Sequence, residues 1–73
     1  MKAKQLFESS RVPSFFPKNE DTWVRCNDGS ILVRWMGSRW LVLARNQRTI
    51  YSDDRDLRGI VLGLVDVLGG LKW

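Results

Sequence analysis

The sequence contains no histidine and only one cysteine, Cys26. Without histidine there is no imidazole to act as an acid, to activate a nucleophile or to bind a metal. A single cysteine cannot form an internal disulfide or a thiolate cluster, and it favours a reducing compartment such as the cytoplasm. We therefore expect no metal and no cofactor, and we interpret Cys26 as a small buried hydrophobic residue.

Long apolar runs are also missing. The longest one, near residues 60–68, is interrupted by Gly63 and Asp66, so no transmembrane segment is predicted. The first ten residues, MKAKQLFESS, lack the apolar centre of a secretory signal. These features predict a cytoplasmic protein that does not enter a membrane.

Motifs for catalysis are equally scarce. Gly59 and Gly63 have GxxxG spacing within a helical pattern, which favours tight packing or simple tolerance over a phosphate-binding loop. The acidic residues Asp53, Asp54 and Asp56 precede that helical pattern, where capping explains them better than a catalytic dyad. We expect that the protein is not an enzyme.

What is present is a basic segment, residues 22–51, in a chain of 73 residues. It contains five of the eight arginines, no lysine and one acid, Asp28, so it carries a charge of 5 − 1 = +4, the net charge of the whole chain. A chain of this length forms a single domain, 1–73, that buries only roughly 60% of its unfolded surface. A small basic domain without a deep cavity indicates an acidic partner.

Residues 22–51 contain three turn signals, namely Asp28-Gly29, Gly37-Ser38 and Asn46-Gln47. They divide the segment into four short apolar runs. This pattern predicts a four-stranded antiparallel meander. Two-residue turns at these sites place Val24 opposite Val33, Trp35 opposite Trp40, and Val42 opposite Tyr51.

The same register separates two faces of the sheet. The core face has no charge and comprises Val24, Cys26, Ile31, Val33, Trp35, Trp40, Val42, Ala44, Thr49 and Tyr51. The open face comprises Trp23, Arg25, Leu32, Arg34, Met36, Arg39, Leu41, Leu43, Arg45, Arg48 and Ile50. A slip of one residue at any turn would mix the two sets, so their separation favours the register.

A C-terminal helix over 54–68 is expected to cover the core face. Its apolar stripe is formed by Leu57, Ile60, Val61, Leu64 and Leu68. The predicted fold is α+β, a four-stranded meander with one helix packed on its apolar face. A small closed barrel is the second choice, because Ile60 to Leu62 also suit a strand and the two glycines weaken the helix by about 1 kcal/mol each.

Residues 1–20 form an irregular N-terminal arm in this interpretation. Residues 2–9 could make two helical turns, although a helix this short is marginal alone. Phe15 and Phe16 lie between Pro13 and Pro17 in an extended path. They either cover one edge of the core or belong to an arm that becomes ordered on a partner.

Arginines and apolar residues alternate on the open face, and this predicts a partner-binding surface. Its members are Trp23, Arg25, Arg34, Met36, Arg39, Arg45 and Arg48, with Phe15 and Phe16 from the arm. In that register Arg45 lies directly opposite Arg48, a like-charge pair that costs stability unless an acidic group binds there. The alternative is a solvated face on which Trp23 stacks on Arg34.

Three kinds of partner remain open. A protein with acidic and apolar residues suits the mixed face, because guanidinium groups pair with carboxylates in a defined geometry. A nucleic acid could place phosphates on the arginines and a base on Trp23, but the sequence has neither an RNP-type aromatic motif nor a basic recognition helix. A second copy of the chain could dimerise through this face, although a monomer is expected.

The whole chain, and especially WVRCNDGSILVRWMGSRWLVLARN with the tail DDRDLRGIVLGLVDVLGGLKW, resembles a small phage-encoded regulator that binds host bacterial RNA polymerase. Such a regulator inhibits initiation and makes the polymerase resistant to terminators. The resemblance implies a protein in the cytoplasm of the infected host that docks on a polymerase subunit without catalysis. It also implies that nucleic acid is contacted only within the polymerase complex.

Overall fold

A computed structural model of the chain describes residues 4–8, 12–13 and 16–69. It contains one five-stranded sheet and one helix, in the chain order β1 (Lys4–Glu8), β2 (Asp21–Cys26), β3 (Gly29–Trp35), β4 (Trp40–Ala44), β5 (Ile50–Ser52) and α1 (Leu57–Val67). Strands β2 to β5 form an antiparallel meander, and α1 packs against it. The predicted α+β fold is therefore confirmed.

The core lies between the core face and α1. Val24, Ile31, Val33, Val42 and Val61 have no solvent exposure. Full burial of such a side chain contributes about 1.5–3 kcal/mol, so this layer supplies a large share of the stability of a small domain. The helix contributes Leu57, Leu64 and Val65 as well, and Leu68, directly after the helix, packs in the same core, so the predicted stripe faces the sheet.

The N-terminal residues add a strand that the sequence analysis did not predict. Residues 4–8 are β1, which pairs in parallel with β2 and places Leu6 opposite Trp23. A parallel pair needs a crossover of about a dozen residues or more, and residues 9–20 supply it. Pairing satisfies the backbone groups along the outer edge of β2, which favours a strand over isolated helical turns in this segment.

The crossover also contributes to the core. Phe16 is buried at 5% exposure and contacts Trp40 edge-on, with the ring centroids 6.3 Å apart. Val12 packs against the same cluster. Phe16 therefore covers one edge of the core, as the first of the two interpretations proposed, while Phe15 lies outside the described residues.

The three predicted turns differ in how well they describe the sheet. The pairing of β3 with β4 matches the prediction, with Trp35 opposite Trp40 and Val33 opposite Val42. The β2–β3 pairing is shifted by two residues, because Asn27 and Asp28 rather than Asp28 and Gly29 form the turn, and Val24 lies opposite Ile31. A shift of two leaves every side chain on its predicted face.

The β4–β5 pairing is shifted by one residue, and here the prediction is wrong. Val42 lies opposite Ile50, and Leu41 lies opposite Tyr51. The connection is a five-residue loop, 45–49, in which Asn46 adopts a left-handed conformation with φ of 59°. Ile50 therefore packs against the core, whereas Tyr51 is 51% exposed on the open face.

The helix is shorter than the predicted range, 54–68. Residues 53–56 form the turn that leads into it, where Asp53 Oδ1 accepts a hydrogen bond from the Asp56 backbone N–H at 2.8 Å. Asp54 accepts a hydrogen bond of 2.7 Å from the indole N–H of buried Trp40. This bond lowers the pKa of Asp54, and Lys18, 3.4 Å away, acts in the same direction.

Candidate functional site

An apolar row crosses the middle of the open face from β1 to β4. The register aligns Leu6 with Trp23, Trp23 with Leu32, and Leu32 with Leu43. Leu32 is almost fully buried at 7% exposure, whereas Leu6 and Leu43 are 57% and 37% exposed. We call these four residues the apolar row.

Two shallow depressions lie along the row, on either side of Trp23. One has a volume of about 420 Å³ and is lined by Leu6, Trp23, Arg25 and Ser30. The other has a volume of about 220 Å³ and is lined by Trp23, Ser30, Leu32, Leu43, Ala44 and Arg45. Both are wide open to solvent, so they suit side chains of a docking partner better than an enclosed small molecule.

The arginines flank the apolar row on both sides, towards the two ends of the strands, and they differ in their partners. Arg34 donates to both carboxylate oxygens of Asp21, at 2.9 and 2.7 Å. These hydrogen bonds and the attraction of the charges raise the pKa of Arg34. Arg34 therefore forms a two-pronged ion pair with Asp21 in place of the stacking on Trp23 that the solvated-face alternative expected, and its charge is compensated.

Arg39 and Met36 flank the β3–β4 turn. The Met36 backbone N–H donates to the Arg39 carbonyl at 2.8 Å, which closes the turn, and Gly37 between them has φ of 97°. The Arg39 guanidinium lies 4.0 Å from the centre of the Tyr51 ring, a cation–π contact. Met36 is 52% exposed at this end of the face.

Arg25, Arg45 and Arg48 occupy the opposite end, near the β2–β3 turn. Arg25 lies opposite Ser30. Arg45 and Arg48 belong to the loop between β4 and β5, and the direct pairing predicted between them does not form because of the one-residue shift. Over the part of the chain that the structure describes, neither Arg45 nor Arg48 has an ion pair.

The loop holds Arg45 against the sheet. A Cβ atom on Gly29 would lie 3.2 Å from the Cβ of Arg45 and 3.6 Å from its Cδ, so the stem of the arginine passes directly over this glycine. Gly29 also has φ of 143°, which favours glycine. The adjacent β2–β3 turn is fixed to the end of α1, since the Asp28 N–H donates to the Leu68 carbonyl at 3.0 Å.

The structure thus brings together Trp23, Arg25 and Arg45, and it places Arg34, Met36 and Arg39 at the other end of the same face. Phe16 lies in the core, away from this surface. Sequence reasoning missed Leu6, Asp21 and Tyr51 as members of the open face. Asp21 was detectable: moving the first turn back by one residue places it opposite Arg34, where an ion pair is expected.

The described ranges hold no group of three or more cysteine and acidic residues that could bind a metal ion. Within the same ranges, α1 is too short to cross a membrane. Comparisons with protein-family models, with curated proteins and with solved structures found no match to this chain. Fold and surface together define a small α+β domain with an open sheet face that is apolar in the middle and cationic at its ends.

Proposed function

We propose that this protein binds bacterial RNA polymerase by docking its open face on a polymerase subunit, and that it thereby inhibits initiation and promotes antitermination. The observation that carries the proposal is the apolar row, which is exposed at Leu6 and Leu43 and flanked by arginines. Apolar residues interleaved with arginine are typical of the centre of protein interfaces. The resemblance to phage-encoded polymerase regulators supplies the identity of the partner.

The test is a pull-down from bacterial lysate with two matched variants. Leu43 and Leu62 are each 37% exposed, but Leu43 lies in the apolar row and Leu62 lies on α1 at the opposite side of the sheet. We expect the wild type and L62E to retain polymerase subunits and L43E to lose them, because L43E places a carboxylate in the centre of the interface.

Polymerase that stays entirely unbound by the wild type would refute the proposal. Equal loss in L43E and L62E would show that the open face has no special role. A transcription assay with purified polymerase then tests the effect of docking. The wild type should reduce transcripts that start at a promoter and increase read-through at a terminator, and L43E should do neither.

Nucleic-acid binding is the second candidate, since the arginines and the partly buried Trp23 could hold a single strand. It predicts retention of DNA or RNA without polymerase, with an affinity that falls steeply as salt is raised. Measuring binding of a labelled oligonucleotide at two salt concentrations separates the two candidates.

A further inference from the structure

The two cationic ends of the open face are not equivalent. At the end near the β3–β4 turn, Arg34 is held by Asp21 and Arg39 lies on the ring of Tyr51. At the other end, Arg45 carries a charge that no described carboxylate approaches within ion-pair distance. Arg34 is therefore neutralised by an ion pair and Arg39 is covered by a ring, whereas Arg45 leaves a charge that is unpaired among the described residues next to the apolar row on the β2–β3 turn side.

The stem of Arg45 also lies against the sheet. It passes over Gly29, and Arg45 lines the 220 Å³ depression together with Trp23 and Leu43. At about 30 Å³ per water molecule, this hollow holds several waters that one bulky apolar side chain could displace. A cation beside an apolar hollow suits a ligand that has an anion next to an apolar group.

Resting on the proposed function, we propose that the polymerase segment that docks here carries a carboxylate beside a bulky apolar side chain. The carboxylate pairs with the guanidinium of Arg45, and the apolar side chain occupies the hollow between Trp23 and Leu43. Guanidinium and carboxylate form two parallel hydrogen bonds, which fix the orientation of the docked segment.

The surroundings favour a protein segment over a nucleic acid strand. Three of the four residues in the apolar row are leucines, so within the row only Trp23 offers a ring for base stacking. The Tyr51 ring, on the same face, is already in contact with Arg39. In addition, the carboxylate of Asp21 lies on this face and already engages Arg34, which reduces the number of arginines available to a run of phosphates.

The first experiment compares R45Q with R39Q in a titration against purified bacterial RNA polymerase. Each variant removes one positive charge from the same face, so general electrostatic attraction changes equally. We expect R45Q to raise the Kd at least tenfold and R39Q to raise it less than threefold. Equal effects, or a larger effect of R39Q, would overturn the inference.

The second experiment asks what Arg45 touches. R45K keeps the charge and supplies an amine, which a zero-length carbodiimide couples to a carboxylate in direct contact. We expect R45K to form a cross-link to an acidic residue of polymerase that has an apolar neighbour, with R39K forming little or none. A cross-link from R39K alone, or displacement of polymerase by a single-stranded oligonucleotide, would overturn the inference.

These outcomes are distinguishable from failure of the proposed function. If the wild type does not bind polymerase, the proposed function fails and this inference fails with it. If the wild type binds and R45Q binds equally well, the proposed function stands and only the inference is refuted.

Discussion

Replacing Gly59 and Gly63 by alanine should stabilise the protein. Both glycines lie within α1, and a Cβ atom added at either position meets no heavy atom within 4 Å. Neither glycine has a φ that disfavours an L-residue. The GxxxG spacing therefore reflects tolerance on an exposed helix surface, and alanine should restore the helical preference that glycine lacks.

The magnitude follows from the positions in the helix. Gly63 is near the middle of Leu57–Val67, where alanine is favoured over glycine by about 1 kcal/mol. Gly59 is the third residue of the helix, so we expect about half of that gain. The double variant should gain about 1.5 kcal/mol, which raises the Tm of a domain of this size by roughly 6–12 °C.

Thermal and urea denaturation followed by circular dichroism measure this gain. The control is G37A, where a new Cβ also meets nothing within 4 Å but φ is 97°. Because a left-handed backbone conformation costs a non-glycine residue about 1–2 kcal/mol, G37A should lower the stability. Loss of stability in G59A/G63A would refute the reasoning, because it would show that this helix surface is packed.

Polymerase binding by G59A/G63A should equal that of the wild type, since α1 covers the core face.

The other predictions concern the turns and the core. I50A should lower the free energy of unfolding by about 1–2 kcal/mol and Y51A by less than about 0.5 kcal/mol, because only Ile50 packs in the core. Urea denaturation measures both, and the opposite order would favour the register that the turn signals predicted. G29A should lower the free energy of unfolding by about 1–3 kcal/mol, because Gly29 has φ of 143° and an added Cβ would press on the stem of Arg45. Unchanged stability would contradict this description of the β2–β3 turn. The stability that depends on ionised Asp54 is present above its unfolded pKa of about 3.9 and is lost as pH falls through its lowered folded pKa. W40F removes the main cause of that lowering, so its stability should fall less steeply than that of the wild type below pH 4, and parallel acid titrations would contradict this.

Much of the fold was predictable because the spacing of apolar residues and the residues that favour turns determine local structure. The β3–β4 hairpin followed from Gly37-Ser38 and from the pairing of Trp35 with Trp40. The helix stripe followed from 3.6-residue spacing, although its first turn did not: Asp54 is held by the indole of Trp40, a tertiary contact that no local pattern reveals.

The turns and the strand that were predicted wrongly also depend on their surroundings in the fold. The β2–β3 turn is fixed by hydrogen bonds to the end of α1, including that from the Asn27 side chain to the Gly69 carbonyl at 3.0 Å. The β4–β5 connection is a five-residue loop with a left-handed Asn46, rather than a two-residue turn, and this shifts the pairing by one residue. Strand β1 has no signal of its own and exists because the edge of β2 is available for pairing.

The candidate site was predicted as a face but not as a distribution of charge. Alternation along β2 to β4 placed Trp23, Arg25 and Arg45 on one surface. Arg34 is paired with Asp21 and Arg39 lies on the ring of Tyr51, and both contacts depend on the true registers of their strands. The alternation of side chains along a strand predicts which residues share a face. The ion pairs on that face depend also on the register between adjacent strands.

The central claim, that the open face is the surface that docks on polymerase, is tested most directly by methyl NMR of the labelled protein with purified bacterial RNA polymerase. Two pairs of methyl-bearing residues have matched exposure: Leu6 and Val67 at 57%, and Leu43 and Leu62 at 37%. Leu6 and Leu43 lie in the apolar row, while Leu62 and Val67 lie on α1. We predict selective broadening of Leu6 and Leu43 methyl signals at substoichiometric polymerase. Selective broadening of the Leu62 and Val67 signals would contradict the account.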